Sequence, residues 1–255
     1  EADVNSLQAI EEVKEEVSAP KIEIYVDRDD DVLPGMEIDS AVKGFTITDN
    51  GIGFTDRNLE SFFTSDTQYK VGRGGKGIGR FIWLKAFECA EIESHYRENG
   101  KLVKRAFRFT TSVDQPQGEA TASKENAPKT TVRLVGMRSP YKEHCVHGLD
   151  LIGHRLIEHC LPFFLDPKCP AVGIRDAKEE IDLNKYFREL FVEKGSAHSF
   201  KIGDTAFTLR GLRLHNPHEI QHRVIYAANS REVISEKLEK YLPNLQKKLS
   251  DENGP

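Results

Sequence analysis

Cysteine is scarce and unpaired in this 255-residue chain: four residues, at 89, 145, 160 and 169, and no C-x-x-C pair. That excludes a disulfide framework and suits a reducing compartment. No apolar run approaches the roughly 20 residues needed to span a bilayer, and the opening residues do not read as a signal peptide. Neither sign of charge dominates. With 36 Lys and Arg against 41 Asp and Glu, the net charge of −5 gives no support to a nucleic-acid coat. These absences leave a cytoplasmic globular protein as the expectation. The length allows one large or two ordinary domains.

What is present is concentrated between Thr46 and Phe87. Two glycine-bearing loops, Asp49-Asn50-Gly51-Ile52-Gly53 and Gly75-Lys76-Gly77-Ile78-Gly79, are joined by a polar connector. The residues before Asp49 alternate like a strand, and Ile78 to Phe87 carry apolar residues at helical spacing. The first loop therefore closes a strand and the second opens a helix. An Asp at a strand end can accept a hydrogen bond from a base's amine, and such recognition discriminates sharply. Gly51 and Gly53 let the backbone approach a flat ring. Bare N–H groups at a helix N-terminus favour phosphate, and Lys76 and Arg80 add positive charge there. Together the loops read as a nucleotide site, with its base at one end and its phosphates at the other.

Two other glycine motifs fail on context. Gly72 to Gly77 satisfies G-x-G-x-x-G, but a polar irregular stretch precedes it where the dinucleotide fingerprint needs a strand. A Walker loop needs Lys-Ser or Lys-Thr, and here Lys76 is followed by Gly77.

Residues 1–17 read as a helix that places Glu1 and Asn5 on one face, one turn apart. A carboxylate can activate water, and an amide oxygen can bind Mg²⁺. At this point E-A-D-V-N-S-L-Q-A, D-N-G-I-G and G-G-K-G-I-G-R, in that order, resemble the motifs of the GHKL superfamily of Bergerat-fold ATPases. Lys129-Thr130-Thr131-Val132 resembles that family's G-T-x-V strand, with Lys129 where glycine is usual.

The resemblance implies a two-layer α/β sandwich over residues 1–137, with ATP (or ADP) and Mg²⁺ as ligands. It makes Glu1 the general base and Asn5 the Mg²⁺ ligand. Asp49 would take the adenine amine, with Gly51 and Gly53 lining the base. Gly75, Lys76, Gly77, Ile78, Gly79 and Arg80 would serve the phosphates, and Thr130 would stand near the adenine. Residues 55–73 would be a mobile lid. Glu1 favours hydrolysis over histidine-kinase-type phosphotransfer, and a nucleotide-sensing module without turnover is the alternative. In that family the helix begins before the Glu, so a chain starting at Glu1 is expected to lack upstream residues.

Residues 138–255 are expected to form a smaller α/β unit. Tyr226 to Val233 resembles the transducer domain that follows the ATPase domain in MutL and gyrase, which implies an ATP-dependent homodimer. An effector protein or a fused C-terminal module is a further expected partner. A helix is expected over 232–249, where Lys237, Lys240, Lys247 and Lys248 alternate with acidic residues. That pattern reads as a solvated face, which leaves nucleic-acid binding unsupported. Seven His and Cys residues between 144 and 169 lack zinc spacing, as do His215, His218 and His222. The run Asp27-Arg28-Asp29-Asp30-Asp31 lacks the spacing of a calcium loop and reads as a solvated turn. Trp83 reads as core packing.

Overall fold

Alternation along the strands decides the architecture. A computed structural model describes residues 2–13, 17, 19–29, 40–64, 79–112, 118–214, 222–228 and 231–244. Helix α1 (Ala2–Glu11) is followed by β1 (Lys21–Arg28), β2 (Val42–Asp49), α2 (Asp56–Phe63) and α3 (Gly79–Ala86). Then come β3 (Phe87–Glu98), β4 (Lys101–Phe109), the short β5 (Thr121–Ala122) and β6 (Lys129–Met137). A helical stretch follows, α4 (Tyr141–His144), α5 (Leu149–His159) and α6 (Leu161–Phe164), and after it β7 (Ala171–Arg175), β8 (Glu180–Asp182) and α7 (Leu183–Leu190). The remainder is β9 (Phe191–Ile202), β10 (Thr205–Leu214), β11 (Arg223–Ala228) and β12 (Arg231–Lys237), then one 3-10 turn at Leu238–Lys240.

Eight strands form one mixed sheet in the order β5-β4-β3-β6-β2-β1-β7-β8. Its pairs are antiparallel except β1 with β7. Cross-strand register lines residues into rows on the inward face. One row is Ile174, Ile24, Ile47, Val132, Ile92 and Phe107; beside it runs Val26, Phe45, Leu134, Ala90 and Phe109. Both rows are apolar and belong to the core that the helices cover. The opposite face carries Thr48, Thr131, Glu91 and Glu93, as expected for a sheet with one face wet.

The β3–β4 hairpin turns at Asn99 and Gly100, both at positive φ (49° and 77°), which suits the right-handed strand twist. An aromatic group of Phe54, Phe62, Phe63, Phe107 and Phe109 docks α2 on β4. Phe62 also meets Trp83 of α3, which is buried. The sheet continues past residue 137, because β7 adds to β1 and α5 and α7 pack into the same core.

Several expectations need correction. Residues 231–237 are strand, not the start of a helix over 232–249. Val233 and Ile234 are adjacent and β-branched, and pairing with β11 (Tyr226 opposite Ile234) decides the local conformation. Beyond residue 244 that expectation lies outside the described residues. Helix α1 ends at Glu11 and so is shorter than the expected 1–17. The helix expected over Ile78 to Phe87 stops at Ala86, since Phe87 already pairs with Met137. Arg28 is not part of a solvated turn. It ends β1 and makes a buried ion pair at 2.7 Å with Asp176, beyond β7.

Candidate functional site

A third row on the inward face breaks the apolar pattern. After Val172 and Ile22 come Asp49, Thr130, Ser94 and Arg105, one from each of β2, β6, β3 and β4. All four are buried, at 4 % exposure or less. Four polar side chains in register beside two apolar rows are costly unless hydrogen-bonded. Each of them is.

Asp49 ends β2, where burial pushes its carboxyl up to about 6 even though Ser6 Oγ and the Gly51 N–H both donate to it. Ser6 of α1 reaches Oδ2 at 2.7 Å, and Gly51 N reaches Oδ1 at 2.9 Å. Each oxygen thus holds one donor and keeps a lone pair for another. Ser94 Oγ and Thr130 Oγ1 lie 2.8 Å apart, and Ser94 Oγ also accepts the Phe54 N–H at 2.9 Å.

The loop after β2 closes down on this row. A Cβ on Gly51 would stand 2.6 Å from the Ala9 carbonyl carbon of α1, and Ile52 N–H donates to that carbonyl at 3.0 Å. Gly53 has φ +76°, and a Cβ there would meet Ser94 Oγ at 2.7 Å and Tyr96 Cβ at 2.8 Å. Both glycines are therefore sterically required, Gly53 on conformation as well. Thr55 caps α2, accepting the Asn58 N–H at 3.3 Å, while Asn58 Nδ2 donates to the Gly53 carbonyl at 2.8 Å.

Of the residues singled out in the sequence, Asp49, Gly51, Gly53 and Thr130 are brought together here. Asn5 stands half-buried on α1, next to the Ser6 that binds Asp49. Gly79 opens α3 and Arg80 follows it. Glu1, Gly75, Lys76, Gly77 and Ile78 lie outside the described residues, as do positions 65–73 of the expected lid. The described part of that segment, α2, is a helix docked on β4. Ser6, Ser94 and Arg105 were not anticipated. A serine or arginine at the inward-facing phase of an apolar strand was the available signal for the last two. Among the described residues no three His, Cys, Asp or Glu side chains gather as a metal-binding group.

The arrangement can grip a flat, amine-bearing ring. Asp49 supplies a dry acceptor with a spare lone pair on each oxygen, and the Thr130 and Ser94 hydroxyls follow it along the row. No model of a known protein family matches the chain, and no curated protein matches it.

Proposed function

We propose that this chain binds ATP with Mg²⁺ and hydrolyses it, on a Bergerat-type fold of the GHKL kind. The observation that carries the reading is Asp49, buried and held by Ser6 and Gly51 with a lone pair to spare on each carboxylate oxygen. A buried carboxylate with spare lone pairs suits the exocyclic amine of adenine and rejects the carbonyl of guanine. The order of the sequence motifs supplies the rest. Gly75, Lys76, Gly77 and Ile78, directly ahead of α3, would hold the phosphates with Gly79 and Arg80. Asn5 would offer Mg²⁺ its amide oxygen, and Glu1 would take the proton from the attacking water. Asn5 lies on the helix that Ser6 ties to Asp49, and Glu1 directly precedes that helix in the sequence.

Mg²⁺ would neutralise phosphate charge, while the chain's own residues orient the nucleotide and hold the water. In this reading nucleotide binding favours a homodimer that acts on an effector; residues 149–190 share the core of the sheet, so a transducer-like role falls to the ribbons that follow them. Calorimetry with Mg-ATP and steady-state turnover test it. Wild type is expected to bind and hydrolyse ATP. Asp49→Asn is expected to weaken binding, and Glu1→Ala to bind without hydrolysis. Wild-type binding without turnover would make the protein a nucleotide-sensing module. Absence of binding would overturn the site.

A further inference from the structure

Arg105 is the member of the polar row that the base-binding reading leaves without a task. Its guanidinium is buried (4 % exposed) on the sheet's inward face, directly across from Ser94. Burying a charge there is costly unless its donors are used. The three nitrogens are spent on three places. Nη1 donates to the Phe54 carbonyl at 2.8 Å, Nε to the Gly118 carbonyl at 3.2 Å, and Nη2 to the Asp56 carboxylate. The Tyr96 ring lies beneath, 5.3 Å from the guanidinium carbon.

The ion pair alone does not account for this placement. Asp56 is 79 % exposed, and a pair with so solvated a partner contributes little. The carbonyl contacts are more telling. Phe54 gives its N–H to Ser94 and its carbonyl to Arg105, so neighbouring members of the row hold both polar groups of one residue. That residue directly follows Gly53, the glycine that faces Thr130 and Ser94. The forked guanidinium thereby ties the segment from Gly53 to Asp56 to β4.

We propose that Arg105 is a positioning residue that holds the Gly53–Asp56 wall against the polar row that begins at Asp49, and that it thereby sets the discrimination between adenine and guanine. The proposal rests on the nucleotide reading above. Arg105 touches neither base nor phosphate. It acts through the Phe54 peptide.

The test is calorimetric affinity for Mg-ATP and Mg-GTP in wild type, Arg105→Gln, Arg105→Lys and Asp56→Ala, each checked for cooperative unfolding. Loss of charged hydrogen bonds to the wall is expected to weaken ATP about tenfold in Arg105→Gln. GTP affinity should change little, so the ATP-to-GTP ratio falls. Arg105→Lys, which keeps the charge and loses the fork, should recover part of the ratio. Asp56→Ala should stay within about twofold of wild type, since it removes only the exposed partner. Turnover at saturating ATP should change less than affinity.

An unchanged ratio in a folded Arg105→Gln overturns the proposal and leaves the ATP reading standing. If Arg105→Gln does not fold, Arg105→Lys decides: a lowered ratio supports the role, and a wild-type ratio overturns it. Wild type that binds neither nucleotide overturns the site reading, and the positioning role with it.

Discussion

The eight-stranded sheet and the two ribbons after it are built to opposite economies. Among the described residues the buried core lies at or before Leu190. Among the described residues from 195 onward none is buried, and most of the chain's exposed large apolar side chains are there. Yet β10 alternates as cleanly as the strands of the sheet. Register puts Phe200, Phe207 and Leu209 on one face and Ser199, Thr208 and Arg210 on the other. Pattern alone therefore does not stabilise. The sheet's inward rows lie under helices, whereas the apolar face of the ribbon is 42–57 % exposed at those three residues. A lone two-stranded ribbon is marginal in water. Stability resides in the sheet, and the ribbons follow it through Leu212 and Ile225, which touch the core, and through the Arg223–Glu158 ion pair.

Two glycines of the same conformation sharpen that contrast most strongly. Gly53, in the site, and Gly203, in the β9–β10 turn, have φ of +76° and +58°. A Cβ at Gly53 meets side chains under 3.0 Å, whereas one at Gly203 meets nothing within 4 Å. Left-handed strain of about 1–2 kcal/mol is common to both. Overpacking adds about 1–3 kcal/mol at Gly53 alone. Gly53→Ala is thus expected to lower the urea midpoint of global unfolding and to abolish nucleotide binding. Gly203→Ala should loosen only its own turn. Equal losses of global stability from the two would mean that ribbon and sheet unfold as one unit.

The sequence made one end of the polar row legible and left the other dark. Asp49, Gly51 and Gly53 could be read because chemistry there is compressed into five consecutive residues. Ser94 and Arg105 come from strands far away in sequence, and only register brings them into the row that begins at Asp49. The hairpin at Asn99-Gly100 announces itself because a turn is local. Helix α7, with Leu183, Phe187 and Leu190 buried at helical spacing, went unread because only two turns of pattern are present. Strand β12 misled for a related reason. Its conformation is settled by a partner across the ribbon, and the charges along it mimic a solvated helix.

A smaller effect separates the site from the fold that carries it, through two buried aspartates. Burial raises the Asp49 carboxyl to about 6, so the folded state takes up that proton more readily than the unfolded chain does. Asp49's contribution to stability therefore grows as pH falls from about 6 towards the ordinary carboxylate range. Burial also opposes ionisation of Asp176, but the Lys178 and Glu179 N–H groups and Arg28 outweigh it and lower its pKa. Asp176's contribution is present above the ordinary value and is lost as pH falls through its lowered one. Nucleotide affinity should thus decline below pH 6 while the sheet remains folded. The decline should approach about tenfold per pH unit below the midpoint. Titration of the nucleotide's own phosphate is common to wild type and Asp49→Asn, so the difference between their affinity profiles isolates Asp49. Parallel profiles would show that its proton does not govern binding.

The smallest expected effect falls on the ribbon. Phe200 and Phe207 stack with ring centroids 5.6 Å apart, and both remain exposed. Such a pair is worth about 0.5–1.5 kcal/mol beyond the area it covers. In Phe200→Thr a strong strand former replaces the ring, so backbone preference is kept and the stack is lost. The main urea transition reports the sheet and should shift by less than about 0.5 kcal/mol, as for other exposed substitutions. Hydrogen exchange at the β9–β10 amides reports local opening and should quicken by roughly fivefold, because about 1 kcal/mol of stacking no longer opposes it. A shift above about 1 kcal/mol in the main transition would place the ribbon inside the sheet's cooperative unit. The exposed aromatic face would then stabilise the whole chain, and the division between a packed sheet and dependent ribbons would have to be redrawn at Leu212 and Ile225.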